Sequence, residues 1–463
     1  MNNSFLFLSI LLPIIGSIFV LVVGKKFSGF LSFIIILFTL FSTIMLIPQV
    51  IKGTTIVTSY FFADALNVFF AVVSSLVAML IVIYSLDYMK KYKNLTGYYF
   101  FITLFSGSMM GLLFSSNLIL IYVFWEISAL CSWWLIGFHQ EEEHLKAANK
   151  AFLITFSAAS LMLIGFILVY LNTNTFNLIE LKGSDISYLP FVLIFIGIMA
   201  KSCVFPLHTW LPSAGVAPSP VTAFLHAAVL VKIGIYGFAR FFCNTFQSPP
   251  YMMKYVAVLA AISAIIAGCS ALRETDIKRI LAYSTISQLG FIFVGLAINS
   301  KIGIIGALIF VFAHALGKAG LFLTAGIIEQ KTGTKDIKKL GGMMKVLPIS
   351  GIAFILCSIS VIGIPPLAGF FGKLFVIISP IEKKEFILSI LVIFSSILTL
   401  LYLLRFFNNV FLGQVIYSDI KEDKNLMLVS VCFLAILSLV GGILINYPAE
   451  LIKIAQEQMA IFR

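Results

Sequence analysis

Ala200–Arg240 reads AKSCVFPLHTWLPSAGVAPSPVTAFLHAAVLVKIGIYGFAR. The stretch is apolar enough to lie in a membrane, yet it carries Lys201 and Lys232 and is interrupted by Pro206, Pro212, Pro218 and Pro220. Proline lacks the backbone donor that a helix needs and clashes with the preceding turn, so the helix breaks here. Irregular backbone is tolerated at membrane depth only where protein covers it or it lines a water-filled cavity. A second interruption, GIPPLAGFFGK at Gly363–Lys373, sets Gly363, Pro365, Pro366, Gly369 and Gly372 before another lysine.

The surrounding sequence is equally apolar. Of 463 residues, 61% are hydrophobic and 11% charged, far from the roughly 45–50% and about 25% of soluble domains. Fourteen runs of membrane-spanning length recur between Ser4 and Ile445. The two interrupted runs, at about 190–216 and 348–380, are the seventh and twelfth. Broken segments at corresponding positions of two halves point to a repeat with ion sites between its units, and an odd offset of five helices inverts one unit against the other. The expected fold is therefore an all-α polytopic membrane protein of about 14 transmembrane helices, with two inverted five-helix repeats that each contain a broken helix. Residues 1–95 would hold the first three helices, 96–242 and 243–411 the two repeats or half-channels, and 412–463 the last helix and a short tail.

Lysine and arginine set the orientation. Loops after odd-numbered spans hold 17 of the 31, including Lys90, Lys91, Lys93, Lys278, Arg279 and Lys335, against 9 in the alternate loops. The positive-inside tendency then places both termini on the outer side. The first run lacks a basic start and a small-residue cleavage site, so it reads as a retained helix rather than a signal peptide. The net charge of +12 is accounted for at a negatively charged leaflet and needs no nucleic acid.

Five further cations lie inside the spans, and a charge at a helix centre costs roughly 2.5–3.5 kcal/mol on insertion scales. Lys201, Lys232, Lys318 and Lys373 are central in their spans, as is His314; Arg405 is near a span end and is expected to snorkel. Glu126, in FWEISALCSWWLIG at 124–137, is the mid-span carboxylate and is expected to pair with Lys201. A structural brace between two helices is the other reading of that pair. His314 and Lys318, four residues apart, share a helix face and could share a proton. His208, His226, Ser284, Thr285 and Gln288 are candidates for lining the path, whereas Asp64 and Asp87 only flank the third span. An ammonium group donates and cannot ligate a cation, so a lysine-lined path favours H+, with Na+ placed nearer the carboxylate.

The six cysteines are scattered singly over six spans. With neither a CxxC pair nor a Cys/His cluster, no iron–sulfur, haem or zinc site is expected, and a P-loop and a dinucleotide fingerprint are also absent. The expected set of cofactors and metals is none, with no redox site of the chain's own.

Together with RETDIKRILAYSTISQLGFI (273–292) and FAHALGKAGLFLTAG (312–326), the quoted stretches resemble the antiporter-like membrane subunits shared by respiratory complex I, Mrp-type Na+/H+ antiporters and membrane-bound hydrogenases. The resemblance runs over about residues 60–380. It implies that Glu126 and Lys201 form the coupled pair of a first half-channel and that Lys232 leads toward the centre. His314 and Lys318 would then link to Lys373 near the exit of the second half-channel. Gln288 and Lys373 stand where some members have histidine and glutamate, respectively. The leading expectation is a proton-translocating subunit of a redox-driven membrane complex, a membrane-bound hydrogenase or complex I relative, in a prokaryotic plasma membrane. A component of a multi-subunit Mrp-type Na+/H+ antiporter is the alternative. Either implies other membrane subunits as partners, further antiporter-like ones among them.

Overall fold

The structure is a computed structural model and describes residues 2–460. The chain runs through α1 (Asn2–Val22), α2 (Ser28–Ile44), α3 (Ala65–Tyr88), α4 (Leu95–Phe114), α5 (Leu118–Ile136), α6 (Glu142–Thr173), α7 (Tyr188–Lys201) and α8 (Ser219–Thr245). It continues through α9 (Pro250–Arg273), α10 (Ile277–Ala297), α11 (Lys301–Thr332), α12 (Pro348–Ile362), α13 (Ala368–Glu382), α14 (Phe386–Phe411), α15 (Leu426–Ile443) and α16 (Asn446–Ala460).

Polar side chains fix where several of these helices begin, because the first turn leaves backbone donors without partners. Asp64 accepts from the Asn67 backbone at 3.0 Å while the Asn67 side chain accepts from the Asp64 backbone at 2.7 Å, opening α3. Asn117, Asp276, Ser300 and Asn425 cap α5, α10, α11 and α15 in the same way.

Among the described residues, twelve helices are long and apolar enough to cross a membrane. The protein is thus a multi-pass membrane protein, as its composition predicts. α7 and α12 are shorter apolar helices, each ending at one of the expected interruptions. After α7 the chain turns through Cys203, at φ 55°, into the short helix Trp210–Ser213. There the Trp210 indole donates to the Ala200 carbonyl at 2.9 Å and so satisfies a carbonyl in the buried last turn of α7. α12 stops at Gly363, whose φ of 89° is a conformation open to glycine. The chain re-enters as α13 at Ala368.

Loop contacts segregate to two ends of the molecule. At the lysine-rich end Asp276 bridges Asp336, and Lys331 pairs with Asp423 at 2.5 Å. At the opposite end Phe61 bridges Ser115, Asn117 bridges Asn177, and Lys254 pairs with Glu385 at 2.7 Å. Between them α8, α10 and α11 are enclosed by the other helices, with 100%, 94% and 89% of their apolar windows buried, against 39% for α1 and α6. The outer helices therefore turn apolar faces to lipid, and a charge on the inner three is shielded from it. Close approach helps: a Cβ on Gly372 would lie 2.8 Å from the Phe310 backbone, so α13 and α11 touch nearly backbone to backbone.

The sequence reading needs three corrections. Arg240, counted with the loop cations, lies inside α8 and is 3% exposed, because the helix runs on to Thr245. Lys278, also counted as a loop cation, lies in the first turn of α10 and is 1% exposed. Arg405 extends to the end of α9, where it donates to the carbonyls of Leu272 and Glu274 at 2.7 and 2.9 Å and ties α14 to that helix. The tail is partly helical: α16 packs Leu451, Ile452, Ala455 and Met459 inward, an apolar face at helical spacing.

Candidate functional site

The site grows from irregularities in α8. Phe224–Ala228 and Ala239–Thr245 are π-helical, with the Val229 N–H reaching back to the Phe224 carbonyl at 3.1 Å. Such turns shift carbonyls out of the ordinary ladder and recur at functional positions. Lys232 uses one of them, donating to the Ala227 carbonyl at 2.7 Å, and its Nζ also meets His314 Nδ1 on α11 at 3.3 Å. A Cβ on Gly234 would collide with Ser202, so glycine lets this part of α8 lie directly on the first break.

Lys201 is the last residue of α7, where unpaired carbonyls concentrate partial negative charge and favour a cation. Its Nζ donates to the Trp125 carbonyl on α5 at 3.2 Å and stands 5.7 Å from the centre of the Trp125 ring. Glu126 is the next residue and is only half-buried, with Oε1 enclosed and without a protein hydrogen-bond partner. The expected partners are thus neighbours, but the direct ion pair is not formed: the lysine has taken a backbone carbonyl instead.

On α11, Lys318 donates to Ser284 of α10 and, at 3.4 Å, to the Leu281 carbonyl. Ser284 donates to the Tyr402 hydroxyl at 2.9 Å, and Gln288 Nε2 donates to Tyr402 and Thr399 at 3.0 Å each. Tyr402 and Thr399, both on α14, are site residues that sequence reasoning missed, since a lone hydroxyl in an apolar span carries no signal. Thr285 turns away, donating to the Leu281 carbonyl of its own helix at 3.0 Å. His314 and Lys318 lie on one helix yet engage different neighbours, Lys232 and Ser284.

Lys373 lies just past the second break, 4.5 Å from the centre of the Phe291 ring and 5.4 Å from that of Phe310. Aromatic faces attract a cation without offering a lone pair, and Nζ has no protein hydrogen-bond partner. The His226 ring lies 4.4 Å from that of Phe322, and neither of its nitrogens has a protein partner. Buried polar atoms in folded proteins are nearly always satisfied, by water where protein does not serve. His208 is half-buried beside Phe205, beyond the first break.

The structure adds two ion pairs, one buried on both sides and one with a buried lysine and a partly exposed glutamate. Arg240 forks onto Asp64 at 2.6 and 2.8 Å, so Asp64 does more than flank a span. Burial alone would raise the Asp64 carboxyl, but the guanidinium holds it below the usual carboxylate value. Lys278 meets Glu329 at 2.7 Å. Both cations followed or preceded loops in the sequence, and their partners lie far away along the chain.

The family described as "NADH:quinone oxidoreductase/Mrp antiporter, TM" matches residues 115–399, and that described as "NADH-Ubiquinone oxidoreductase (complex I), chain 5 N-terminus" matches residues 53–99. Similar sequences include the A subunit of a Na+/H+ antiporter from Alkalihalophilus pseudofirmus, 35% identical over 76% of this chain and 48% of that protein. The A1 subunit of a Na+/H+ antiporter from Staphylococcus aureus is 30% identical over 95% of this chain and 61% of its own length. The chain therefore spans about half to three-fifths of these relatives. Among solved structures, a chain of the Mrp complex from Dietzia sp. superposes with a TM-score of 0.92 at 22% identity, over 99% of this chain and 98% of that one. A chain of an archaeal membrane-bound sulfane sulfur reductase superposes at 0.90 and 24% identity, over 98% and 97%. At these identities the likeness is one of fold.

Proposed function

The chain belongs to the NADH:quinone oxidoreductase/Mrp antiporter transmembrane family, and from that membership and the buried polar row we propose that it is an ion-translocating subunit of a multi-subunit Na+/H+ antiporter. The observation that carries the reading is the burial of four lysines, Lys201, Lys232, Lys318 and Lys373, each 3% exposed or less. A set of buried ammonium groups without matching carboxylates is costly in a membrane and is retained where charge moves.

In this reading Glu126 and Lys201 exchange a proton near the first break, and Lys232 passes it to His314 when Nδ1 presents its lone pair. Lys318, with the Ser284–Tyr402–Gln288 network beside it, hands on to Lys373 at the second break. His226 lines the middle of the route. α4–α8 and α9–α14 act as inverted half-channels, with 1–95 and 412–463 flanking them. The lysine-rich end faces the cytoplasm and both termini face outward. Further membrane subunits complete the complex, and the site is built for H+, with Na+ near Glu126.

The sequence alone favoured a redox-driven complex over the antiporter; the names of the relatives reverse that order. Everted vesicles from antiporter-deficient bacteria, expressing the chain with its native partner subunits, test the choice. Adding Na+ should collapse a preformed pH gradient. Indifference to Na+, with acidification driven instead by an electron donor, would return the redox-driven reading to first place.

A further inference from the structure

An ion pair shielded on at least one side stands at each end of α8. Among the described residues, only Arg240–Asp64 and Lys278–Glu329 have both partners less than a quarter exposed, at 3%/8% and 2%/20%. Asp64 and Arg240 line a cavity at their end of the molecule, and the Lys278–Glu329 pair touches the cavity at the other end through Lys335, which lines it.

At the lysine-rich end a 280 Å³ cavity is lined by Lys150, Ser213, Val216, Arg279 and Lys335. Lys335 reaches Glu329 at 3.7 Å. Behind it Lys278 donates to the Ala217 carbonyl at 3.0 Å, and Ser219, the first residue of α8, donates to Glu329 at 3.1 Å. Two turns further along α8 is His226, with both nitrogens lacking a protein partner. At the opposite end a 260 Å³ cavity is lined by Asp64, Lys182, Arg240, Asn244 and Gln458. Arg240 also donates to the Tyr236 hydroxyl at 3.1 Å, one turn beyond Lys232.

We infer that Lys278–Glu329 and Asp64–Arg240 are the two gates of the ion path, each separating an end cavity from the His226–Lys232–His314 centre. This rests on the transport reading above. A buried pair contributes little stability over apolar residues of the same size, so a brace would not need charge. A closed pair also excludes water, and each acid has a second, outer lysine at its cavity, Lys335 or Lys182, toward which it can turn. Opening one pair while the other stays closed admits ions from one face at a time.

Side-specific labelling tests this in the assembled complex, with the six native cysteines replaced and His226→Cys as the probe. With Glu329 present, Cys at 226 should resist a membrane-impermeant maleimide from both faces. Glu329→Gln should speed labelling several-fold from the lysine-rich face alone, and Lys278→Gln, a second variant of the same pair, should do likewise. Unchanged labelling, or an equal gain from both faces, would overturn the gate. The double variant Glu329→Gln/Asp64→Asn, with position 226 restored to histidine, should leak protons several-fold faster than either single variant; no added leak would count equally against it. Loss of transport with labelling unchanged would reject the gates and leave the transport reading standing. Altered labelling in a complex whose unmodified form carries no ion would reject the transport reading instead.

Discussion

Lys232 Nζ stands 3.3 Å from His314 Nδ1, joining α8 to α11. This contact connects the two halves of the polar row at its middle. Because the lysine's other bond goes to a carbonyl of its own helix, the histidine is its side-chain partner.

If that contact transmits the proton, the two residues act as one step. Lys232→Ala and His314→Ala should each lower exchange strongly, while the double variant is no worse than the poorer single one. Exchange rates in vesicles around a double-mutant cycle should give a coupling of roughly 0.5–3 kcal/mol. Additive losses would separate the residues.

Lys373 separates function from stability. Its ammonium lies over Phe291 and Phe310 and makes no protein hydrogen bond, so removing it orphans no partner. Holding a lone charge out of water costs several kcal/mol, and an apolar side chain of similar volume does not carry that cost. Lys373→Met should therefore abolish exchange while the thermal midpoint of the purified complex stays level or rises. A lowered midpoint with exchange intact would make Lys373 a structural residue.

Tyr402 tests the hydroxyl network. Its OH accepts from Ser284 and from Gln288, so Tyr402→Phe leaves both donors short of a partner. A net loss of about 1 kcal/mol is expected from the missing hydrogen bonds, with exchange reduced but not abolished. The thermal midpoint and the vesicle assay report the two effects separately.

Gly372 holds α13 against Phe310. Gly372→Val has no room to fit without moving one helix, and overpacking of this kind costs typically 1–3 kcal/mol. It should lower the thermal midpoint and, because Lys373 is the next residue, lower exchange as well. Gly413, at φ 84° with open space around it, is the contrast: Gly413→Asn should leave exchange unchanged.

What the sequence could reveal depended on contrast. Lys201, Lys232, Lys318 and Lys373 were legible because a charge within a long apolar run has few explanations. Both helix breaks were legible because proline and glycine change backbone physics locally. Arg240 and Lys278 were hidden because each lies at the edge of a span, where a cation ordinarily belongs to the loop, and only the fold shows that both are buried. Partner choice was also out of reach: Glu126 was the sole mid-span carboxylate, yet Lys201 found the carbonyl of Trp125, one residue earlier. The helix at Asn446–Ala460 did leave a signal, in Leu451, Ile452, Ala455 and Met459, but its polar remainder read as tail.

Whether the buried lysines carry the ion is decided most simply at Lys201. Na+-triggered collapse of a pH gradient should be measured in vesicles containing the assembled complex with Lys201→Ala, beside immunoblots showing unchanged chain in the membrane. The collapse should be lost while the chain and its partners remain in place. Collapse at the unmodified rate would rule out a path through Lys201.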